Sequence, residues 1–307
     1  MEKFMLRHRV FRYVMLGITL VIIFIYAAIS AVLANGVTTS EREPLTETPQ
    51  NYDLPYTNIQ FSPRDGQLIL DAWYITDSAP RPTIVLVHGL GSNRTSDGAL
   101  NLTSHLWEMG FDSLLFDLRG HGTSDDGLVS GGYYEQNDLL GAFDFLIEAG
   151  VPSNNIGVLG ISLGAAICIL AASKETRIEA VVADTPYASI TDLLAQEVSR
   201  TTPIPRWIVP AFIPGTTFVA RIMYGIEISE LNPEKYVQDI DYPIYVIHGE
   251  DDVRIPVDHS IRVHSAAHPN STLWILPGVE HADAFITFPE EYSDRIGNYF
   301  QQALDLN

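Results

Sequence analysis

Cysteine is almost missing from this chain. Cys168 stands alone, which excludes an intramolecular disulfide and any cysteine-rich metal site. Positive charge is scarce as well. Four of the 18 Lys and Arg residues (Lys3, Arg7, Arg9 and Arg12) lie at the N-terminus beside one acid, Glu2, out of 38 acidic residues. The rest of the chain therefore carries 14 basic against 37 acidic side chains. A body this acidic repels phosphate backbones, so nucleic acid is excluded as a partner. Charged residues make up only 18% and hydrophobic ones 46%, a composition that buries a full core and argues against disorder. There is no internal repeat and no low-complexity block.

One long hydrophobic run is present. No charged residue occurs from Tyr13 to Ala34. At 1.5 Å per residue the run extends about 33 Å, enough for a hydrocarbon core of about 30 Å. A cleaved signal peptide is the rival reading, with Val32 and Ala34 as small residues before the cut. Signal-peptide cores are usually shorter, about 7–15 residues, so the run is expected to be an uncleaved anchor. The basic leader, residues 1–12, then stays in the cytoplasm and everything after Asn35 faces outward. Residues 35–53 are polar and read as a tether. Residues 54–307, roughly 255 in all, suit one large α/β domain, since single cores stop growing near this size.

Within that domain short β-rich runs alternate with helical patterns. Thr83–Val87, Ser113–Phe116, Ile156–Leu159, Ala180–Ala183, Ile244–Ile247 and Thr272–Leu276 read as strands. Ile59–Phe61 and Leu68–Ile75 read as an opening hairpin. Helices are expected over Ser96–Glu108, Tyr134–Glu148, Leu163–Ser173, Val257–Ala267 and Glu290–Leu304. Continuous apolar strands alternating with helices predict a mainly parallel, doubly wound sheet. The alternation breaks once, after the sixth strand. There Pro203, Pro205, Pro210 and Pro214 punctuate an apolar stretch and rule out one long membrane span. An inserted cap at about 186–240 is expected. Its apolar residues, among them Ile204, Trp207, Ile208, Val209, Phe212, Ile213, Phe218, Ile222 and Met223, line an acyl pocket or simply pack the cap.

Chemistry concentrates at a few loops. Gly160-Ile161-Ser162-Leu163-Gly164 lies between a strand and a helical run, the setting Gly-x-Ser-x-Gly requires. Glycine on both sides lets the chain turn too tightly for side chains, and the helix N-terminus favours developing negative charge. A nucleophilic Ser162 needs a base and an orienting acid, in the chain order Ser, acid, His. His281 follows the last strand and reaches the same sheet edge. His259 and His264 sit on a predicted helix, where packing is the ordinary role. For the acid, Glu250, Asp251 and Asp252 compete after the strand ending at Ile247. Asp252 leads, because a short turn aims it toward His281; Asp251 is second and Asp184 a distant third. Val87-His88-Gly89-Leu90-Gly91 ends another strand, and the N–H groups of Leu90 and Leu163 are the expected oxyanion donors. His88 precedes the serine and is expected to make a structural hydrogen bond. The sequons at Asn93, Asn101 and Asn270 are read as chance, because a glycan at Asn93 would crowd the site.

Taken together, the chain resembles the α/β-hydrolase superfamily, in the serine-hydrolase branch of esterases, monoglyceride-lipase-like enzymes and serine aminopeptidase-like proteins. The likeness rests on His88-Gly89-Leu90-Gly91, Asp117-Leu118-Arg119-Gly120-His121-Gly122, Gly160–Gly164, Gly249-Glu250-Asp251-Asp252 with Ile255-Pro256, and Gly278-Val279-Glu280-His281-Ala282, in family order over residues about 55–305. The resemblance implies Asp252 as the acid, a structural Asp117–Gly122 turn under the pocket, and no metal or other cofactor. It implies an acyl substrate that is a small molecule, a lipid or a peptide, cleaved at an ester or amide bond. A non-catalytic binding protein on the same frame and an acyltransferase are the competing expectations.

Overall fold

The fold is given by a computed structural model that describes residues 2–35, 38, 40–66, 68–77, 81–201 and 205–304. Pro203 and Ile204, expected in the cap, lie outside the described residues. By packing the chain divides into two compact units. One joins Met1–Val37 to Leu194–Ile228, and the other joins Thr38–Leu193 to Ser229–Asn307.

The larger unit is built on one sheet. Its strands among the described residues are β1 (Tyr56–Phe61), β2 (Leu70–Ile75), β3 (Thr83–Val87), β4 (Asp112–Phe116), β5 (Ile156–Ile161), β6 (Val181–Asp184), β7 (Tyr245–Gly249) and β8 (Thr272–Leu276). They lie in the order β1-β2-β4-β3-β5-β6-β7-β8. β2 runs antiparallel to β1 and β4, and every other neighbouring pair is parallel. The six expected parallel strands and the opening hairpin are all present, so the fold is the mainly parallel, doubly wound sheet anticipated above.

The helices explain the composition of those strands. Chain order gives α1 (Glu2–Asn35), α2 (Ala99–Glu108), α3 (Glu135–Glu148), α4 (Leu163–Ala172), α5 (Ile190–Thr201), α6 (Ile213–Tyr224), α7 (Pro233–Tyr236), α8 (Asp258–Ala266), α9 (Ala284–Thr287) and α10 (Pro289–Ala303). Every residue of β3, β4, β5, β6 and β7 is buried, as expected when helices cover both sheet faces. α4 is buried along its whole length and is apolar all round, because it lies behind β5. At Gly157 on β5 an added Cβ would lie 2.6 Å from the Phe300 ring of α10, so helix and sheet meet without space for a side chain.

The segment read as a tether is docked from Ser40 onward. Arg42 donates to the carbonyls of His121 and Gly122 and pairs with Asp126 at 2.6 Å. Leu45 and Tyr52 pack against the core. These contacts depend on single side chains in an aperiodic stretch, which no sequence pattern announces. The insertion after β6 also divides. α7 packs with α4 and α8 in the larger unit, whereas Leu194–Ile228 belongs with the N-terminal helix.

In the smaller unit, α1 over His8–Asn35 is long and apolar enough to cross a membrane, a test that a signal sequence also passes. Its last turns pack on α6. The Tyr26 hydroxyl donates to the Ala211 carbonyl and accepts from the Gly215 N–H, and its ring stacks on Phe212 at 5.3 Å. Tyr224 donates to Asn35 Oδ1 at 3.0 Å.

Candidate active site

Parallel strands deliver their C-terminal loops to one edge. β3, β5, β7 and β8 end at Val87, Ile161, Gly249 and Leu276, and each is followed there by a loop singled out in the sequence. Register makes this concrete: Val87 pairs with Gly160, Ile161 with Asp184, and Gly249 with Leu276.

Ser162 sits at the tightest point. Its backbone has φ 57° and ψ −115°, a conformation costly for a side-chain-bearing residue. Two glycines make the turn possible. A Cβ on Gly160 would lie 2.1 Å from the Gly164 carbonyl oxygen, and one on Gly164 would lie 2.0 Å from the Val87 carbonyl oxygen. The turn is held by Ser162 N–H donating to the Asp184 carbonyl at 2.8 Å. Ser162 is also the N-cap residue of α4, and its carbonyl accepts from the Ala165 and Ala166 N–H groups.

His281 bridges the serine and the acid. Its Nε2 lies 2.9 Å from Ser162 Oγ and its Nδ1 lies 2.7 Å from Asp252 Oδ2. Asp252 is buried, and its Oδ1 accepts from the N–H groups of Arg254 and Ile255 at 2.8 Å each. Burial by itself would raise this carboxyl. The bonds with His248 and His281, the charge of His281 and the Ile255 N–H outweigh burial and hold it below the ordinary carboxylate range. Glu250 and Asp251, its neighbours, are exposed.

The competing candidates are committed elsewhere. His259 Nδ1 accepts from Ala188 N–H, and His264 Nε2 lies 3.0 Å from the Ser271 carbonyl. Asp184 is buried at the end of β6 and accepts from the Tyr292 hydroxyl at 3.0 Å. Burial pushes its carboxyl up to about 6, against the pull of Tyr292 and of His248 and His281.

The loop after β3 lies against the serine. A Cβ on Gly89 would be 3.3 Å from Ser162 Cβ and 3.8 Å from its Oγ. Among the described residues, no carbonyl acceptor pairs with the N–H of Leu90 or of Leu163. His88 is buried; its Nδ1–H donates to the Gly89 carbonyl and its Nε2 accepts from Leu118 N–H. Burial, then the nearby His121, lowers its pKa to about 4, so it is a neutral structural imidazole. The Asp117–Gly122 turn clamps the same loop. Asp117 Oδ1 accepts from Arg94 N–H, Asp117 Oδ2 accepts from Thr123 N–H, and His121 Nε2 accepts from Gly91 N–H. Asn93 is buried and donates to the carbonyls of Glu43 and Pro44, so the side chain of that sequon is taken up internally.

One residue of the site carries no role in the sequence reading. His248, fully buried at the end of β7, lies 2.6 Å from Ser260 Oγ, 2.7 Å from the Ile255 carbonyl and 3.4 Å from Asp252 Oδ2. Its Nε2–H serves both oxygens and so ties down the turn that carries the acid. The signal was its place directly before Gly249; its burial was not legible. Among the described residues, no cluster of three or more His, Cys, Asp or Glu side chains could hold a metal ion.

Comparisons with known proteins agree with this architecture. A family profile described as the alpha/beta hydrolase fold matches residues 82–222. The solved esterase Pf2001 of Pyrococcus furiosus superposes with a TM-score of 0.71 at 23% identity, over 87% of this chain and 98% of that one. The uncharacterized protein YqkD of Bacillus subtilis is 26% identical over 73% of this chain and 72% of its own length. The lysophosphatidylserine lipase ABHD12 of Xenopus tropicalis is 27% identical over 64% of this chain and 49% of its own. The superposition and the profile match together give the chain the α/β-hydrolase fold.

Proposed function

We propose that the protein is a membrane-anchored serine hydrolase that cleaves a carboxylic ester through an acyl-enzyme. The observation that carries this reading is the position of His281, in hydrogen-bond reach of Ser162 Oγ on one side and Asp252 on the other. His281 Nε2 removes the Ser162 proton as Oγ attacks the substrate carbonyl. Asp252 holds the proton of His281 on Nδ1, so that Nε2 is free to act as base, and stabilises the imidazolium that forms. The Leu90 and Leu163 N–H groups receive the oxyanion; losing one such donor typically costs about 10²–10³ in turnover. His281 then returns its proton to the leaving alcohol and activates the water that releases the acid.

An ester is favoured over an amide because one structural neighbour is an esterase and one relative a lysophosphatidylserine lipase. α1 is taken as an uncleaved anchor with the basic leader inside and the catalytic body outside, because its apolar run is longer than a signal-peptide core. A panel of p-nitrophenyl esters of increasing acyl length, run beside aminoacyl anilides, tests the bond. Ester turnover that vanishes in Ser162→Ala is expected. Anilide turnover alone would move the reading to an aminopeptidase-like enzyme, and no turnover of either would favour a binding protein.

A further inference from the structure

The α6 helix of the smaller unit has two dissimilar faces. Thr216 and Ala220, one turn apart, are buried. On the opposite side Phe218 and Ile222, also one turn apart, are 66% and 68% exposed. Met223 is open to a similar degree, and Trp207, just before the helix, is 79% exposed. Isolated exposed apolar side chains need no explanation, but large ones gathered within one short segment mark an interaction surface.

Charge marks the same segment. From Val198 to Ile226 the chain contains Arg200, Arg206 and Arg221 and no acidic residue, although acids outnumber bases 38 to 18 overall. Arg206 is exposed; Arg221 is exposed too and pairs with Glu227 at 2.8 Å. Apolar side chains rimmed by arginine, in an otherwise acidic protein, fit a surface that is apolar inside and anionic at its edge.

Position relative to α1 identifies that surface. Tyr26, Ser30 and Asn35 of α1 meet Phe212, Gly215 and Tyr224, so α6 is held against the last turns of α1. If hydrocarbon begins near Tyr13, about 30 Å of helix ends near Val32, and Tyr26 lies only about 9 Å inside that boundary. The Tyr26 hydroxyl, at a depth where water is scarce, has both its hydrogen-bond partners on the α6 segment. α6 thus lies level with the outer boundary of the bilayer that α1 crosses.

We propose that the α6 segment is a second membrane contact. Trp207, Phe218, Ile222 and Met223 enter the outer-leaflet interface, and Arg206 and Arg221 face anionic phospholipid headgroups. The inference rests on the reading of α1 as a membrane span. A second copy of the chain is the less suitable occupant, because it would bring like arginines together, whereas lipid is already within reach of α6.

Tryptophan fluorescence tests this on the full-length protein. α1 contains no tryptophan, Trp73 is buried, Trp107 and Trp274 are partly covered, and Trp207 alone is exposed. The protein is placed in nanodiscs of phosphatidylcholine and phosphatidylglycerol whose acyl chains are brominated near the headgroup. Insertion to the about 5–10 Å typical of interfacial segments should cut the emission contributed by Trp207 at least about twofold. That contribution is the difference between wild type and Trp207→Phe, and Arg206→Glu should weaken the quenching. Incorporated protein with equal Trp207 emission in brominated and ordinary lipid overturns the docking proposal and leaves the anchor reading standing. Protein that fails to stay with the nanodiscs overturns the anchor reading and this proposal together. Trp207 protected from brominated lipid but buried in a cross-linked dimer assigns the surface to a second copy instead.

Discussion

Replacing Asp252 by asparagine removes one charge and almost no volume, so it isolates what the carboxylate does for His281. Oδ1 accepts two backbone N–H groups, from Arg254 and Ile255, at 2.8 Å. An asparagine must keep its oxygen there, since its NH₂ would face those donors. The NH₂ then faces His281 Nδ1, 2.7 Å away in the native site. Nδ1 must accept, and the ring proton moves to Nε2, which points at Ser162 Oγ 2.9 Å away. An imidazole protonated at Nε2 cannot take the serine proton. The analogous tautomer error in another serine-hydrolase triad costs about 10⁴ in kcat, or about 5 kcal/mol at 1.36 kcal/mol per tenfold. Steady-state kinetics on a p-nitrophenyl ester should therefore show kcat falling about 10⁴-fold in Asp252→Asn, with circular dichroism unchanged. Asp251→Asn, at an exposed side chain, should stay within about twofold, the range of a neutral surface change. The reverse ranking would refute the argument and make Asp251 the orienting acid.

Three further outcomes follow from the same contacts. Asp184 has its carboxyl raised from 3.8 to about 6 by burial, so it is neutral in both states below about pH 4. Its contribution to stability is full there and is lost as pH rises through about 6, amounting to about 3 kcal/mol at 1.36 kcal/mol per unit. Between pH 4.5 and 7 about 2 kcal/mol of that loss should appear in urea unfolding of the wild type and be missing from Asp184→Asn; equal pH dependence would contradict it. His248→Ala leaves the Ser260 hydroxyl and the Ile255 carbonyl without their partner, and should lower unfolding free energy by about 1–3 kcal/mol in the same assay. The full-length protein should stay in the membrane fraction after alkaline carbonate washing, whereas a mature chain starting at Asn35 would show a cleaved signal.

Much of the sheet was legible because its strands are continuous β-branched and aliphatic runs, which only a doubly covered parallel sheet makes favourable. Thr83–Val87 is the plainest case, with all five residues buried. Gly160 and Gly164 were legible for a related reason, since steric exclusion at 2.1 Å and 2.0 Å leaves no other residue for the turn. The choice among Glu250, Asp251 and Asp252 was harder. Three adjacent acids have the same chemistry, and only the fold tells which one turns inward. Residues whose part depends on burial alone escaped altogether. Nothing near His248 in sequence announces its contacts with Ser260 and Ile255. The docking of Arg42 on the Asp117–Gly122 turn was equally silent, because it joins a polar stretch to a loop about eighty residues away. In the insertion, the prolines signalled short elements, but not that Leu194–Ile228 would pack with the N-terminal helix.

The proposed mechanism needs one nucleophile, Ser162, and a fluorophosphonate reads nucleophilic serines directly. Only a serine whose base is aligned attacks such a probe, so the full-length protein should be labelled at Ser162. The expected result is labelling of the wild type, loss of labelling in a folded Ser162→Ala protein, and strong attenuation in His281→Ala. Undiminished labelling of folded Ser162→Ala protein, or a wild type that does not react at all, would contradict the central claim.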